Sequence, residues 1–278
     1  MSVVEVLPGA HWRAHIAAYW VRQTEPDTGP SGRRVYADGC ADLICNAGDS
    51  IAYFHPMAQG QHAIPLYPGQ LYLGGTMTAY GVLGSEACCL LTGIRFWPGG
   101  FYALFSQTMQ PAVDTLVAFP DEGLRTLMRD VENLSTNLDQ WWEQQSAAGV
   151  LHSAGGYDFT WLRERMYASG GQVSVEALAQ EMHVSNRTLE RIFKKNVGIP
   201  PKEFLRIVRF QEVLRRLREI AGSPASASAT KESLLRIAFE LGYYDHAHLT
   251  NEFKKYAGIL PSELSHFYKT GIPGGQYF

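Results

Sequence analysis

Two stretches sixty residues apart constrain this chain more than anything else in it. FKKNVGIPPKEF (Phe193 to Phe204) superposes on FKKYAGILPSEL (Phe253 to Leu264). Leu189 meets Leu249, Phe193 meets Phe253, and Lys194 and Lys195 meet Lys254 and Lys255; Gly198, Ile199, Pro201 and Glu203 meet Gly258, Ile259, Pro261 and Glu263. A solenoid needs about three repeats or more to bury a continuous core, so a motif used twice means two copies of one supersecondary unit.

Each copy has the grammar of a helix-turn-helix. In the first, Ser174 is placed to cap a helix running through Met182, His183 and Val184 turn, and Ser185 caps a second helix. In the second, LLRIAFEL runs to Gly242, and Asp245 takes the capping place of Ser185. After each second helix a glycine permits a left-handed turn, and a proline suits the first turn of the helix that follows.

The second helix of copy one, within VSNRTLERIFKK, sets apolar Leu189, Ile192 and Phe193 on one side. Arg187, Glu190, Arg191 and Lys194 fall on the other at i, i+3, i+4, i+7. In such a unit the second helix enters the DNA major groove, its outer N-terminal face toward base edges. Arg187, Glu190 and Arg191 are therefore the base-contact candidates, and Lys194, Lys195, Lys254 and Lys255, later on their helices, suit phosphates. One charged face would serve equally to keep a helical domain solvated; two matched basic faces favour a polyanion. PPKEFLRIVRFQEVLRRLREI, between the copies, makes a helix of about 20 residues and ~30 Å, near the ~34 Å between successive major-groove faces.

Charge is divided along the chain. Residues 1–156 carry seven arginines, no lysine and fourteen acids, a net of −7; residues 157–278 carry seventeen basic and thirteen acidic residues, a net of +4. The excess is modest, but it places any nucleic-acid partner on the C-terminal part.

Upstream the text changes. AHIAAYWVRQ, RRVYADG, ADLICNAG, IAYFHP, GQLYLGG, AYGVLG and CCLLTGIRFWPGG read as short strands broken by Gly, Pro and Asp. From about residue 122 a helical stripe follows: Leu124, Leu127, Met128, Val131, Leu134, Leu138, Trp141 and Trp142. The expected architecture is α+β and multidomain. Residues 1–155 form a β-rich, barrel- or sandwich-like regulatory domain with a helical appendage, and residues 156–278 an all-α domain of two helix-turn-helix units joined by a long helix, with the boundary near Gly155.

SNRTLERIFKKNVGIPPKEFLRIVRFQEVLRRL followed by LLRIAFELGYYDHAHLTNEFKKYAGILPSEL resembles the AraC/XylS family of transcriptional regulators over about 100 residues, Val173 to Tyr268. The resemblance implies sequence-specific binding to double-stranded DNA, an N-terminal domain that senses a small-molecule effector or dimerises, and activation through RNA polymerase. It carries base contacts to Arg187, Glu190 and Arg191 in copy one and to His246, Ala247, Thr250 and Asn251 in copy two. Arginine bridges guanine O6 and N7 and asparagine bridges adenine N6 and N7, so copy one, with two arginines where copy two has Ala247 and Asn251, is expected to supply more of the specificity. GSPASASATKES (Gly222 to Ser233) is longer than the family's usual connection and reads as a flexible insert. VYADGCADLICNAG and GIRFWPGGFYALF resemble an N-terminal domain found in a subset of AraC-like regulators.

In that N-terminal part aromatics stand beside arginines. Tyr19, Trp20, Arg34, Tyr36, Arg95 and Trp97 are the effector-binding candidates, weighed against an ordinary aromatic core. Arg95, between Ile94 and Phe96, is the strongest anchor, because an arginine in an apolar strand needs a partner. His55 and His62 have no fixed ligand geometry, so no metal and no cofactor is expected. Cys40, Cys45, Cys88 and Cys89 include no Cys-x-x-Cys pair and read as buried thiols of a reducing cytoplasm, Cys88 and Cys89 within a strand. With no apolar run long enough to span a bilayer, a cytoplasmic protein without a membrane partner is expected. The Leu124–Trp142 stripe reads as core, with a homodimerising helix pair as its alternative. The competing function is a DNA-repair or other enzyme targeted by the same helix-turn-helix domain, which requires an activated or zinc-bound cysteine.

Overall fold

The computed structural model describes residues 3–24, 26, 33–58, 62–150, 159–222 and 231–264. Its strands are β1 (Val3–Val6), β2 (Ile16–Thr24), β3 (Arg33–Val35), β4 (Ala41–Asn46), β5 (Ala52–Pro56), β6 (Ile64–Leu66), β7 (Leu71–Gly74), β8 (Gly81–Ser85), β9 (Cys89–Phe96) and β10 (Leu116–Ala118). They form a six-stranded sheet in the order β1-β2-β9-β4-β7-β10 and a four-stranded sheet in the order β3-β8-β5-β6, with every pairing antiparallel.

Side-chain alternation sorts the six-stranded sheet into two apolar faces. Leu43, Cys45, Leu71, Leu73, Ile94 and Phe96 point to the helical side, where Leu124, Met128, Leu134, Leu138 and Trp142 cover them. Trp20, Tyr72, Cys89 and Leu91 point the other way and meet Ala52, Phe54, Leu66 and Leu83 of the four-stranded sheet. A register shift between Ile16 and Ala18 lets Ile16 and Tyr19 of β2 share the helical side. The N-terminal part is thus a two-sheet sandwich with helices on one outer face, and the barrel form of the expectation does not occur.

The helices are α1 (Gly100–Phe105), α2 (Glu122–Arg129), α3 (Leu134–Ala147), α4 (Phe159–Ala168), α5 (Val175–Glu181), α6 (Asn186–Asn196), α7 (Pro201–Gly222), α8 (Lys231–Glu240) and α9 (His246–Ala257). The stripe predicted from Leu124 to Trp142 is two helices, broken between Arg129 and Leu134; Leu124, Met128, Leu134, Leu138 and Trp142 are core, Leu127 and Trp141 pack against it half-buried, and Val131 falls in the break. Asp121 starts α2 by accepting the Leu124 N–H at 2.9 Å. The sequence reading did not find β1, β6, β10 or α1. Cys88 is exposed, outside β9, against the expectation of a buried strand residue, whereas Cys40, Cys45 and Cys89 are buried.

A third core joins α4 to α9 and takes in Tyr36 and Ala37 from the sandwich. The boundary near Gly155, residues 223–230 of the insert and the part of PSELSHFY beyond residue 264 lie outside the described residues. Among the described residues no helix is long and apolar enough to cross a membrane.

Candidate nucleic-acid interface and ligand pocket

The first unit is built as its sequence dictates. Ser174 Oγ accepts the Ala177 N–H at 3.0 Å to start α5, and Ser185 Oγ accepts the Thr188 N–H at 3.1 Å to start α6. Between them His183 takes a left-handed backbone (φ 56°), and the Val184 N–H returns to the Ala179 carbonyl at 2.9 Å. Leu189, Ile192 and Phe193 are buried, with the Phe193 ring 5.1 Å from Phe159 and 5.7 Å from Phe204. Arg187, Glu190, Arg191, Lys194 and Lys195 are all exposed on the opposite side.

The second unit repeats this with one difference. Asp245 Oδ1 accepts the His248 N–H at 2.7 Å to start α9. The left-handed residue is Gly242 (φ 71°), and the Tyr243 N–H returns to the Ala238 carbonyl at 2.9 Å. Ala238 matches Ala179 at a spacing of fifty-nine, whereas Asp245 matches Ser185 at sixty; the turn of copy two therefore holds one additional residue. That residue is Tyr244, 92% exposed and directly before the cap of α9.

On α9, Ala247, Asn251, Lys254 and Lys255 are exposed, while His246 and Thr250 are half-buried and face each other, His246 Nδ1 lying 3.5 Å from Thr250 Oγ1. His248, not singled out from the sequence, is exposed beside them, edge-on to the Tyr243 ring at 5.3 Å. Lys255 is committed elsewhere: its ammonium group pairs with Glu203 of α7 and sits 4.7 Å over the Tyr256 ring.

The joining helix α7 has 22 residues, about 33 Å at 1.5 Å each. Arg209 donates to the Gly171 carbonyl at 3.1 Å and lies 5.4 Å over the Tyr243 ring, and Arg216 pairs with Glu240 of α8. With Phe193 of the first unit against Phe204, side chains from both units meet on one helix.

A pocket of about 70 Å³ opens between the two sheets. Its wall is mostly apolar, including Ile44, Phe54, Leu83, Leu91 and Leu116. At one side Arg95, 5% exposed, holds Asp38 at 2.9 Å and Asp42 at 3.0 Å, and Asp42 also accepts the Trp20 indole N–H at 2.9 Å. Burial opposes the charge of Arg95, but Asp38 and then Asp42 more than offset it, so its pKa stands above the ordinary arginine value. For nearby Arg22, burial, then Arg33 and Arg95, bring the pKa down to about 9, with Asp42 and Glu5 offsetting part of the fall.

Of the six effector candidates, Trp20 and Arg95 line this pocket. Tyr19 turns to the helical side and donates to Asp139 at 2.8 Å. Tyr36 packs edge-on against Phe210 of α7 at 6.4 Å, and Trp97 lies 5.5 Å beneath the Arg163 guanidinium of α4. Arg34 pairs with Val82 in the four-stranded sheet and is not part of the lining. Arg22, Asp38 and Asp42 were not chosen as ligand contacts. The available signal was strand period, since Trp20 and Arg22 on β2 share a face with Arg95 on β9.

Burial pushes the thiols of Cys40, Cys45 and Cys89 above their usual value, opposite to an activated nucleophile. No group of three or more metal-ligating side chains occurs among the described residues.

Comparison with known proteins agrees with this anatomy. A family model described as a helix-turn-helix domain matches residues 178–266, and one described as a domain of unknown function (DUF6597) matches residues 4–118. An uncharacterized HTH-type transcriptional regulator of Haemophilus influenzae is 33% identical over 89 residues, 32% of this chain and 26% of the relative. The HTH-type transcriptional activator RhaS of Escherichia fergusonii is 30% identical over 92 residues, 33% of this chain and 30% of the relative. The chain thus spans less than a third of the length of these curated relatives. The crystal structure of ToxT from Vibrio cholerae O395 aligns over 91% of this chain and 98% of its own, at 12% identity and a TM-score of 0.49. With its caps, turns and outward basic ridge in place among the described residues, the C-terminal part has the anatomy of the helix-turn-helix domain whose family model matches residues 178–266.

Proposed function

We propose that this chain is a sequence-specific transcription regulator, acting as an activator, whose C-terminal units grip duplex DNA and whose inter-sheet pocket receives a small organic effector. The observation that carries the reading is the ridge of α6. Arg187, Glu190, Arg191 and Lys194 stand exposed along the side of that helix turned away from its core, beginning at its capped N-terminus. Arg187, Glu190 and Arg191 contact bases, and Lys194 and Lys195 contact phosphate. In α9, Ala247 and Asn251 face bases with His246 and Thr250 beside them, and Lys254 contacts phosphate.

The division of labour at about residue 155, contact with RNA polymerase, homodimerisation and a cytoplasmic setting belong to the same proposal. Their support is the family resemblance of the C-terminal part. The effector reading is supported by a mostly apolar cavity with an ion-paired arginine at its side, a common arrangement for orienting a small molecule. Trp20 and Arg95 are its expected contacts.

The test is titration of the full chain against duplexes selected from a random library, with Arg187→Ala and Arg191→Ala compared with the parent by fluorescence anisotropy. Each variant is expected to lose affinity and to relax selectivity at one position. Parental affinity and an unchanged selected sequence in both would overturn the assignment.

A further inference from the structure

The two recognition helices meet the sandwich at equivalent places. The last carbonyls of a helix have no partner within it and need donors from elsewhere. At the end of α6 the donor is the backbone N–H of Met109, 3.1 Å from the Lys195 carbonyl. At the end of α9 it is the backbone N–H of Tyr80, 3.3 Å from the Lys255 carbonyl. Lys195 and Lys255 are the same position of the repeat. The glycine three residues later is also gripped in both copies. A methyl group on Gly198 would strike Val113, and one on Gly258 would lie 2.5 Å from the Tyr80 ring.

The two donors sit on different loops of the sandwich, residues 75–80 between β7 and β8 and residues 109–115 before β10. These loops leave the same end of one ladder, where Gly74 pairs with Leu116. Asp114 fastens them together. Its N–H donates to the Thr76 carbonyl at 3.1 Å, and its carboxylate accepts the Thr78 N–H and the Thr78 hydroxyl, each at 2.6 Å. It is 9% exposed and sits in the left-handed region (φ 55°). The other side of the same loops, at Gly75, Met77 and Thr115, lines the inter-sheet pocket.

We propose that Asp114 makes these loops a single clamp that positions α6 and α9 as a pair, so that displacing either loop reaches both helix-turn-helix units at once. Asp114 is a positioning residue, remote from the DNA-facing ridges. The proposal takes from the preceding section only the reading of α6 and α9 as the DNA-contacting helices. It also gives a ligand in the pocket a route to both.

The experiment is hydrogen–deuterium exchange by mass spectrometry on the full chain without DNA. Asp114→Gly removes the carboxylate while suiting the left-handed backbone. It is expected to raise exchange by about tenfold or more in segments 193–198 and 253–258 together. Asp114→Asn, which tolerates the same backbone and keeps a hydrogen-bonding side chain, is expected to restore most of the protection in both. Thr78→Val, losing one bond of the tie, gives a milder form of the same paired change and serves where Asp114→Gly does not fold. Loosening confined to residues 75–80 and 109–115, or reaching only one helix end, would overturn the clamp. Because no DNA is present, that result is distinct from a failed duplex titration.

Discussion

Glu203, in the first turn of α7, holds the ammonium group of Lys255, in the last turn of α9, and also accepts the Tyr256 hydroxyl at 2.9 Å. Burial alone would raise the pKa of this carboxyl, but Lys255, Tyr256 and Arg206 outweigh it and bring it below the ordinary 4.5. A carboxyl depressed in the native state contributes stability above its unfolded pKa and loses it as pH falls through the native value. The thermal midpoint of the parent is therefore expected to exceed that of Glu203→Gln at pH 7. The two should converge once the pH has fallen below the depressed native value, as scanning calorimetry across the acid range will register.

The same pairing separates two lysines that look alike in sequence. Lys254→Ala removes a proposed phosphate contact and is expected to lower the slope of log affinity against log salt by about one. Lys255→Ala, whose ammonium is already engaged by Glu203, should change that slope less. Equal slope changes in the two variants would contradict the difference in their surroundings.

Ser185 and Asp245 do the same work at the starts of α6 and α9. Replacing either by alanine strands an N–H in the first turn, at Thr188 or at His248, and should cost about 1 kcal/mol of stability. Urea unfolding reads both, and a double variant should add the two costs if the units unfold together.

Arg95 lies within ion-pairing distance of both Asp38 and Asp42. Arg95→Met leaves two partly buried carboxylates without their counter-charge and is expected to destabilise the sandwich by roughly 3–5 kcal/mol. Adding Asp42→Asn should recover part of that loss. Chemical denaturation followed by tryptophan fluorescence reports it, since Trp20 donates to Asp42.

The C-terminal units were legible in the sequence because their signals are local. A cap such as Ser185 bonds three residues ahead, and the Leu189, Ile192, Phe193 triplet needs only helical period to become an inner face. The extra turn residue escaped notice because the sixty-residue identities lie in the second helices and just beyond them, and Tyr244 falls before them all. In the sandwich, the sequence marked Tyr19 and Tyr36 as aromatics beside arginines but not what covers them. Tyr19 found α3 and Tyr36 found α7, both brought in from distant sequence. Short pieces such as β10, three residues held by pairing with β7, carry too little pattern to stand out. The partner of Arg95 was predictable in kind, whereas its identity required the loop that returns Asp38 and Asp42 to β9.

The sandwich meets the ends of α6 and α9 through main-chain hydrogen bonds to Lys195, Lys255 and Tyr256, the last from Ala37 at 3.4 Å. Peptide groups are common to every amino acid. On the proposed function, residues at positions such as Arg187, Arg191 or Asn251 can therefore be exchanged without touching these main-chain links, so that the choice of target sequence and the coupling to the sandwich would be separately adjustable properties of one polypeptide.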